Sequence, residues 1–119
     1  MAVLYSEKLL DHFRRPRNYG SLTDPDVSHE SFNPLCGDRI RLELKLENNA
    51  VTQAGFVGDG CAISIAAASL LTEMISQKDL TFLKTITDEQ LIDALESDIK
   101  PARLQCALLA LEALRAAGP

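Results

Sequence analysis

A chain of 119 residues that is 46% hydrophobic can build its own core, so one domain over residues 1–119 is expected. A formal charge of −5 excludes general affinity for nucleic acid, which needs clustered cations to displace counterions. No run approaches the roughly 18 apolar residues of a membrane span, and Ser6, Glu7 and Lys8 stand where a secretory leader carries its apolar stretch, so the cytoplasm is the expected location and a membrane is not an expected partner.

From Val3 to Phe13, Leu4, Leu9, Leu10 and Phe13 recur near the helical period, and Pro16 stops the run. Turn-forming residues fill Arg17 to Asp26, and Ser28 to Phe32 reads as an edge strand. Arg39 to Glu47 alternates, with Ile40, Leu42, Leu44 and Leu46 on one face and charged residues on the other, which predicts a half-buried strand. Asn48-Asn49 tolerates left-handed backbone, so this strand and Val51 to Val57 are expected to pair as a hairpin.

After Gly60 the period changes. Ile63, Ala66, Ala67, Leu70, Leu71 and Met74 predict a helix running to about Gln77. Thr87 with Gln90 matches a capping box before Leu91, and Pro101 suits the first position of a last helix striped by Leu104, Ala107, Leu108, Leu111 and Leu114. The predicted fold is α+β: a small antiparallel three-stranded sheet with helices packed on one face.

Three cysteines without an export signal suit thiol chemistry or metal ligation better than a disulfide framework. Cys36 and Asp38 are two apart on extended chain, so they point to one side and can share an ion. Cys61 follows Gly58-Asp59-Gly60 and opens a helix, where exposed N–H groups favour a thiolate. Cys106 lies early in the last helix and can face the same end of the sheet, although a lone cysteine on an Ala- and Leu-rich helix is more often core than ligand. Three thiolates and a carboxylate suit Zn2+, and thiolates are also the ligands of iron–sulfur clusters. Arg103 can stabilise a nearby thiolate or be a solvated surface charge. His12 and His29 read as surface or capping residues.

The chain resembles the U-type iron–sulfur cluster assembly proteins, the IscU, NifU N-terminal and SufU group. The residues that carry the resemblance are Tyr5-Ser6-Glu7-Lys8 with Asp11-His12-Phe13 and Pro16-Arg17-Asn18, Asn33-Pro34-Leu35-Cys36-Gly37-Asp38, Gly58-Asp59-Gly60-Cys61-Ala62-Ile63-Ser64, and Arg103-Leu104-Gln105-Cys106-Ala107. The last motif is closest to SufU; Gln105 stands where the IscU branch has histidine. The resemblance implies a SufE/NifU-like sandwich and a metal or cluster site of Cys36, Asp38, Cys61 and Cys106, holding Zn2+ or a [2Fe–2S] cluster. It implies a cysteine desulfurase of the IscS or SufS type as partner and apo iron–sulfur proteins or carriers downstream. The role is then a scaffold or sulfur acceptor rather than a conventional enzyme. On the SufU-like reading Cys36 accepts sulfur; on the scaffold reading sulfur arrives at Cys106 and Asp38 is the exchangeable ligand.

A structural zinc-binding interaction domain is the alternative, but such sites bring cysteines in closely spaced pairs, whereas these ligands come from remote elements. A cysteine hydrolase needs a base beside the thiol, and only His12 or His29 is available. The basic turn of Arg14, Arg15 and Arg17 is expected to form part of the desulfurase contact.

Overall fold

The computed structural model describes residues 5–119; Val3 and Leu4, with which the first helix was expected to begin, lie outside the described residues. Helix α1 spans Glu7–Arg14 and starts where the Ser6 hydroxyl accepts the Leu9 N–H. Strands β1 (Val27–Asn33), β2 (Asp38–Glu47) and β3 (Ala50–Asp59) form one antiparallel sheet in the order β1-β2-β3. Helices α2 (Ala62–Ile75), α3 (Leu80–Leu83), α4 (Asp88–Ala94) and α5 (Leu104–Ala117) follow. The fold is the α+β arrangement the alternation pattern predicts, and no helix among the described residues is long and apolar enough to cross a membrane.

The hairpin forms because Asn48 and Asn49 both take positive φ, at 53° and 61°, the paired left-handed geometry of a two-residue turn that matches strand twist. Ile40, Leu42 and Leu44 then point to one face with Phe56 and Ala54 of β3, and all five are buried. The opposite face carries Glu43 and Gly55, paired in register, and residues 18–26 cross it as a strap. Gly20 N–H donates to Phe56 O at 2.8 Å and Leu22 N–H to Glu43 Oε1 at 2.8 Å. The outer face is thus partly covered rather than open to water.

Helix α2 is the hub. It packs on α1, α4, α5 and β3, and Ile63 through Thr72 are all buried, so its apolar surface is wider than a single stripe. It ends at Ile75, two residues short of expectation, because Gln77 turns left-handed at φ 65° and bonds back to Val51. Helix α5 packs beside α2 and against strands β1 and β2; Pro101–Arg103 form a 3₁₀ turn ahead of it, so the helix proper begins three residues later than Pro101. The Thr87–Gln90 capping box is present at α4. Helix α3, a single turn capped by the Asp79 carboxylate, was not anticipated.

Candidate metal and sulfur site

Strand β1 ends at buried Asn33, whose side chain shapes the next turn: its Oδ1 accepts the Leu35 N–H at 3.0 Å and its carbonyl accepts the Gly37 N–H at 2.8 Å. Gly37 supplies the positive φ of 79° that closes this turn. Leu35, 89% exposed, and Cys36 therefore project from the molecule, while Asp38 turns inward at the start of β2 and is buried.

The Asp38 carboxylate reaches the N-terminus of α2. Cys61, at the N-cap position, has no side-chain cap bond, and Asp38 Oδ2 accepts its N–H at 3.3 Å instead. Ser64, in the first turn of α2, donates its hydroxyl to the same oxygen. Burial pushes the Asp38 pKa up, but the hydrogen bonds from Ser64, from the Cys61 N–H and from the Cys61 and Cys36 thiols prevail and hold it below the usual carboxylate value. Gly60 makes room for this: a Cβ there would stand 2.9 Å from Ser64 Cβ and 3.2 Å from Asp38 Cγ.

Cys106, on the first turn of α5, is 2% exposed and its Sγ lies 3.5 Å from Cys36 Sγ. The ligand atoms of Cys36, Asp38 and Cys106 all lie within 4.8 Å of one another. Cys61 falls outside that mutual spacing; its Sγ rests 3.6 Å from Ser64 Oγ. Burial first, then the hydrogen bond with Cys36 and the negative charges of Cys61, Cys36 and Asp38, push the Cys106 thiol up to about 12. The cluster therefore has too much negative charge to ionise fully by itself. Arg103 is the cation that faces it, with its own pKa pushed up by Cys61, by a hydrogen bond to Cys106 and by Tyr5.

The donor set fits a thiophilic cation. A tetrahedral zinc with Zn–S bonds of about 2.3 Å sets its sulfurs about 3.8 Å apart, close to the spacing found here. Asn33, Leu35, Cys36, Arg103 and Cys106 line an open cavity of about 440 Å³ beside the thiols. Of the residues expected at the site, three converge, Cys61 adjoins them through Asp38, and Arg103 flanks them. Cys106 is both core and cluster, so its two sequence readings were not exclusive.

The histidines stand elsewhere. His12 is buried, not at the surface as expected: its Nδ1 lies 2.7 Å from Ser69 Oγ and its Nε2 3.5 Å from Glu73 Oε1. Arg17 N–H donates to Ser69 Oγ at 2.8 Å, leaving the Ser69 proton for Nδ1 and placing the ring proton on Nε2. His29 is in β1 opposite Leu42, within the expected edge strand. Arg15 and Arg17 both pair with Asp11, at 2.6 and 2.5 Å, so one of the three positive charges of the basic turn is balanced within the molecule. Sequence reasoning gave no role to Ser64 or Gly60. The only local signal for Ser64 is its place three residues after Cys61, since its acceptor is 26 positions away.

Residues 4–118 match the family model described as the NifU-like N-terminal domain. The chain belongs to this family. Among NifU-like relatives, the zinc-dependent sulfurtransferase SufU of Bacillus subtilis is 41% identical, covering 94% of this chain and 87% of its own. The iron–sulfur cluster assembly scaffold protein IscU of Haemophilus influenzae is 37% identical over 97% of this chain and 93% of its own. A crystal structure titled a putative iron–sulfur cluster assembly scaffold protein for the SUF system, from Fervidobacterium islandicum, superposes with a TM-score of 0.80 at 25% identity, covering 95% of both chains. A NifU-like N-terminal protein from Brucella abortus, at 18% identity and a TM-score of 0.77, shares the fold and covers 94% of this chain and 90% of its own.

Proposed function

We propose that this chain works in iron–sulfur cluster assembly by accepting persulfide sulfur from a cysteine desulfurase at Cys36, beside a metal site of Cys36, Asp38, Cys61 and Cys106, with residues 1–119 acting as one domain. The observation that carries the reading is the placement of Cys36 on an exposed turn, with Asp38 and Cys106 within 4.8 Å behind it. Both SufU and IscU relatives align over nearly the full chain, which supports the same assignment.

Cys36 is the one thiol of the converging group open to a partner. Its thiolate attacks the outer sulfur of the donor's persulfide, forming a new S–S bond and releasing the donor cysteine as thiolate. Leu35 beside it offers an apolar contact for the docking enzyme. Asp38, held ionised by Ser64 and the Cys61 N–H, keeps a hard oxygen donor in place when a sulfur donor is occupied, and Arg103 offsets thiolate charge at the cavity rim. Zinc, when bound, keeps the thiolates deprotonated at neutral pH and neutralises their charge.

A scaffold reading, in which the same four residues carry a [2Fe–2S] cluster as cargo for downstream apo-proteins or carriers, is favoured by the IscU relatives. The deciding experiment is metal and sulfide content of protein purified without oxygen, followed by desulfurase turnover with and without it. One zinc, no sulfide and a rise in turnover that Cys36→Ala abolishes establishes sulfur transfer. Iron and acid-labile sulfide that pass to an apo-protein establish the scaffold; neither result removes both readings.

A further inference from the structure

Cys36 and Cys106 differ in everything except position. Their sulfurs touch at 3.5 Å, yet one belongs to an exposed turn and the other is 2% exposed on a packed helix. Cys106 borders the cavity but is nearly buried behind Cys36, so what it meets first is whatever Cys36 carries. Cys61 is not an equivalent neighbour, because its Sγ rests against Ser64 Oγ. A disulfide needs an S–S separation near 2.05 Å, so the pair must close by about 1.5 Å, and the motion is available on the Cys36 side, in the turn that Gly37 closes at φ 79°.

We propose that in the metal-free protein Cys106 is the resolving thiol for sulfur carried on Cys36: it attacks the inner sulfur of the Cys36 persulfide, closes a Cys36–Cys106 disulfide and expels the outer sulfur as hydrosulfide. The inference rests on the reading of Cys36 as acceptor. The inner sulfur is the atom that Cys106 contacts, while the outer sulfur extends into the open cavity lined by Leu35 and Arg103. One bond forms, between the two Sγ atoms, and one breaks, between Cys36 Sγ and the sulfane sulfur. The Cys106 proton leaves with the hydrosulfide, the sulfane sulfur gains two electrons and the two cysteines lose them. Hydrosulfide is a good leaving group, since low-pKa thiols leave fastest. A dithiol reductant then reopens the disulfide. The chain thereby delivers sulfide, the oxidation level that a cluster contains, and afterwards lacks two of its metal donors until it is reduced.

The test uses the full chain, stripped of metal by a chelator and handled without oxygen. It is loaded with inorganic polysulfide, desalted, and followed by intact mass, peptide mapping and sulfide assay. The expected wild-type result is loss of the one-sulfur adduct, matching release of sulfide, and a mapped Cys36–Cys106 link. In Cys106→Ser, checked for native circular dichroism, the adduct persists on Cys36 and sulfide release is lost until a thiol is added. An adduct on Cys36 that lasts as long in the wild type as in Cys106→Ser, or sulfane sulfur found on Cys106, overturns the inference while leaving the acceptor reading standing. Absence of any adduct on Cys36 in Cys106→Ser overturns the acceptor reading, and the inference with it. As an arm independent of sulfur loading, one equivalent of hydrogen peroxide is expected to close the same disulfide in the wild type, and failure to do so overturns the inference.

Discussion

Two polar clusters sit along the same helix and have opposite characters. At the N-terminal end of α2, Asp38, Cys61 and Ser64 adjoin Cys36 and Cys106. Further along, Ser69 and Glu73 meet His12, the Arg17 backbone bonds to Ser69, and Thr72 donates to the Ser69 carbonyl. The second cluster closes on itself, with its hydroxyls and ring nitrogens facing partners inside the molecule. The first is unfinished: it gathers negative charge and leaves a thiol at the surface. A buried polar network that satisfies itself specifies structure, whereas one that keeps surplus charge beside an exposed nucleophile is arranged for something that arrives.

The comparison breaks most visibly through Asp38. Asp38→Ala removes an oxygen donor and is expected to weaken zinc at least about 100-fold, the upper range for altering a ligand's supporting partner, measured by chelator competition. Affinity unchanged from wild type would take Asp38 out of the site. His12→Ala attacks the closed cluster. It is expected to destabilise the fold by about 1–3 kcal/mol, the cost of orphaning a buried polar group, in urea denaturation, with zinc affinity unmoved. A joint loss of zinc would show that the two clusters are coupled through α2. Gly60→Ala forces a methyl to within 2.9 Å of Ser64 Cβ and is expected to cost about 1–2 kcal/mol, within the range for overpacking, with a parallel fall in zinc affinity in the same titrations.

A smaller effect is carried by pH. Burial, then Arg17, depress the folded pKa of His12 below its ordinary 6.5, against the pull of Glu73 and Asp11. A depressed folded pKa means that the unfolded chain binds the proton first. Stability is therefore full above 6.5 and is lost as pH falls from there toward the folded value. Melting temperatures of the metal-free protein are expected to decline through that window, and His12→Gln is expected to flatten the decline. The Asp38 pKa is also lowered, so its contribution has the same sign but is lost only below the ordinary carboxylate value of 3.8. The smallest effect belongs to Arg15→Ala. Arg15 is exposed and shares Asp11 with Arg17, so less than about 0.5 kcal/mol is expected, measured by the same denaturation.

Local pattern exposed most of the scaffold. The Ile40, Leu42 and Leu44 alternation, the Asn48-Asn49 turn and the Thr87–Gln90 box each encode their geometry within a few residues, and each forms as the pattern predicts. What stayed hidden depends on partners far along the chain. His12 reads as a surface residue until Ser69, 57 positions on, is placed against it. Ser64 reads as a helix hydroxyl until Asp38 arrives, and Gly60 as a turn former until Ser64 and Asp38 crowd it. The charge pattern of the basic turn likewise did not show Asp11 folding back onto two of its three arginines. Helix α3 is too short for periodicity to reveal.

The Ser6 N–H donates to Ser97 Oγ at 2.6 Å and the Ser6 hydroxyl to Leu95 O at 2.6 Å, spanning 91 and 89 positions of sequence. Cys36 meets Cys106 across 70 positions. On the ribosome, then, the amino-terminal helix lacks these two long-range bonds until the last quarter of the chain has been made. The thiol cluster likewise does not exist in any nascent fragment that stops short of α5. The order of synthesis thus confines the assembled cluster to chains in which α5 has been made.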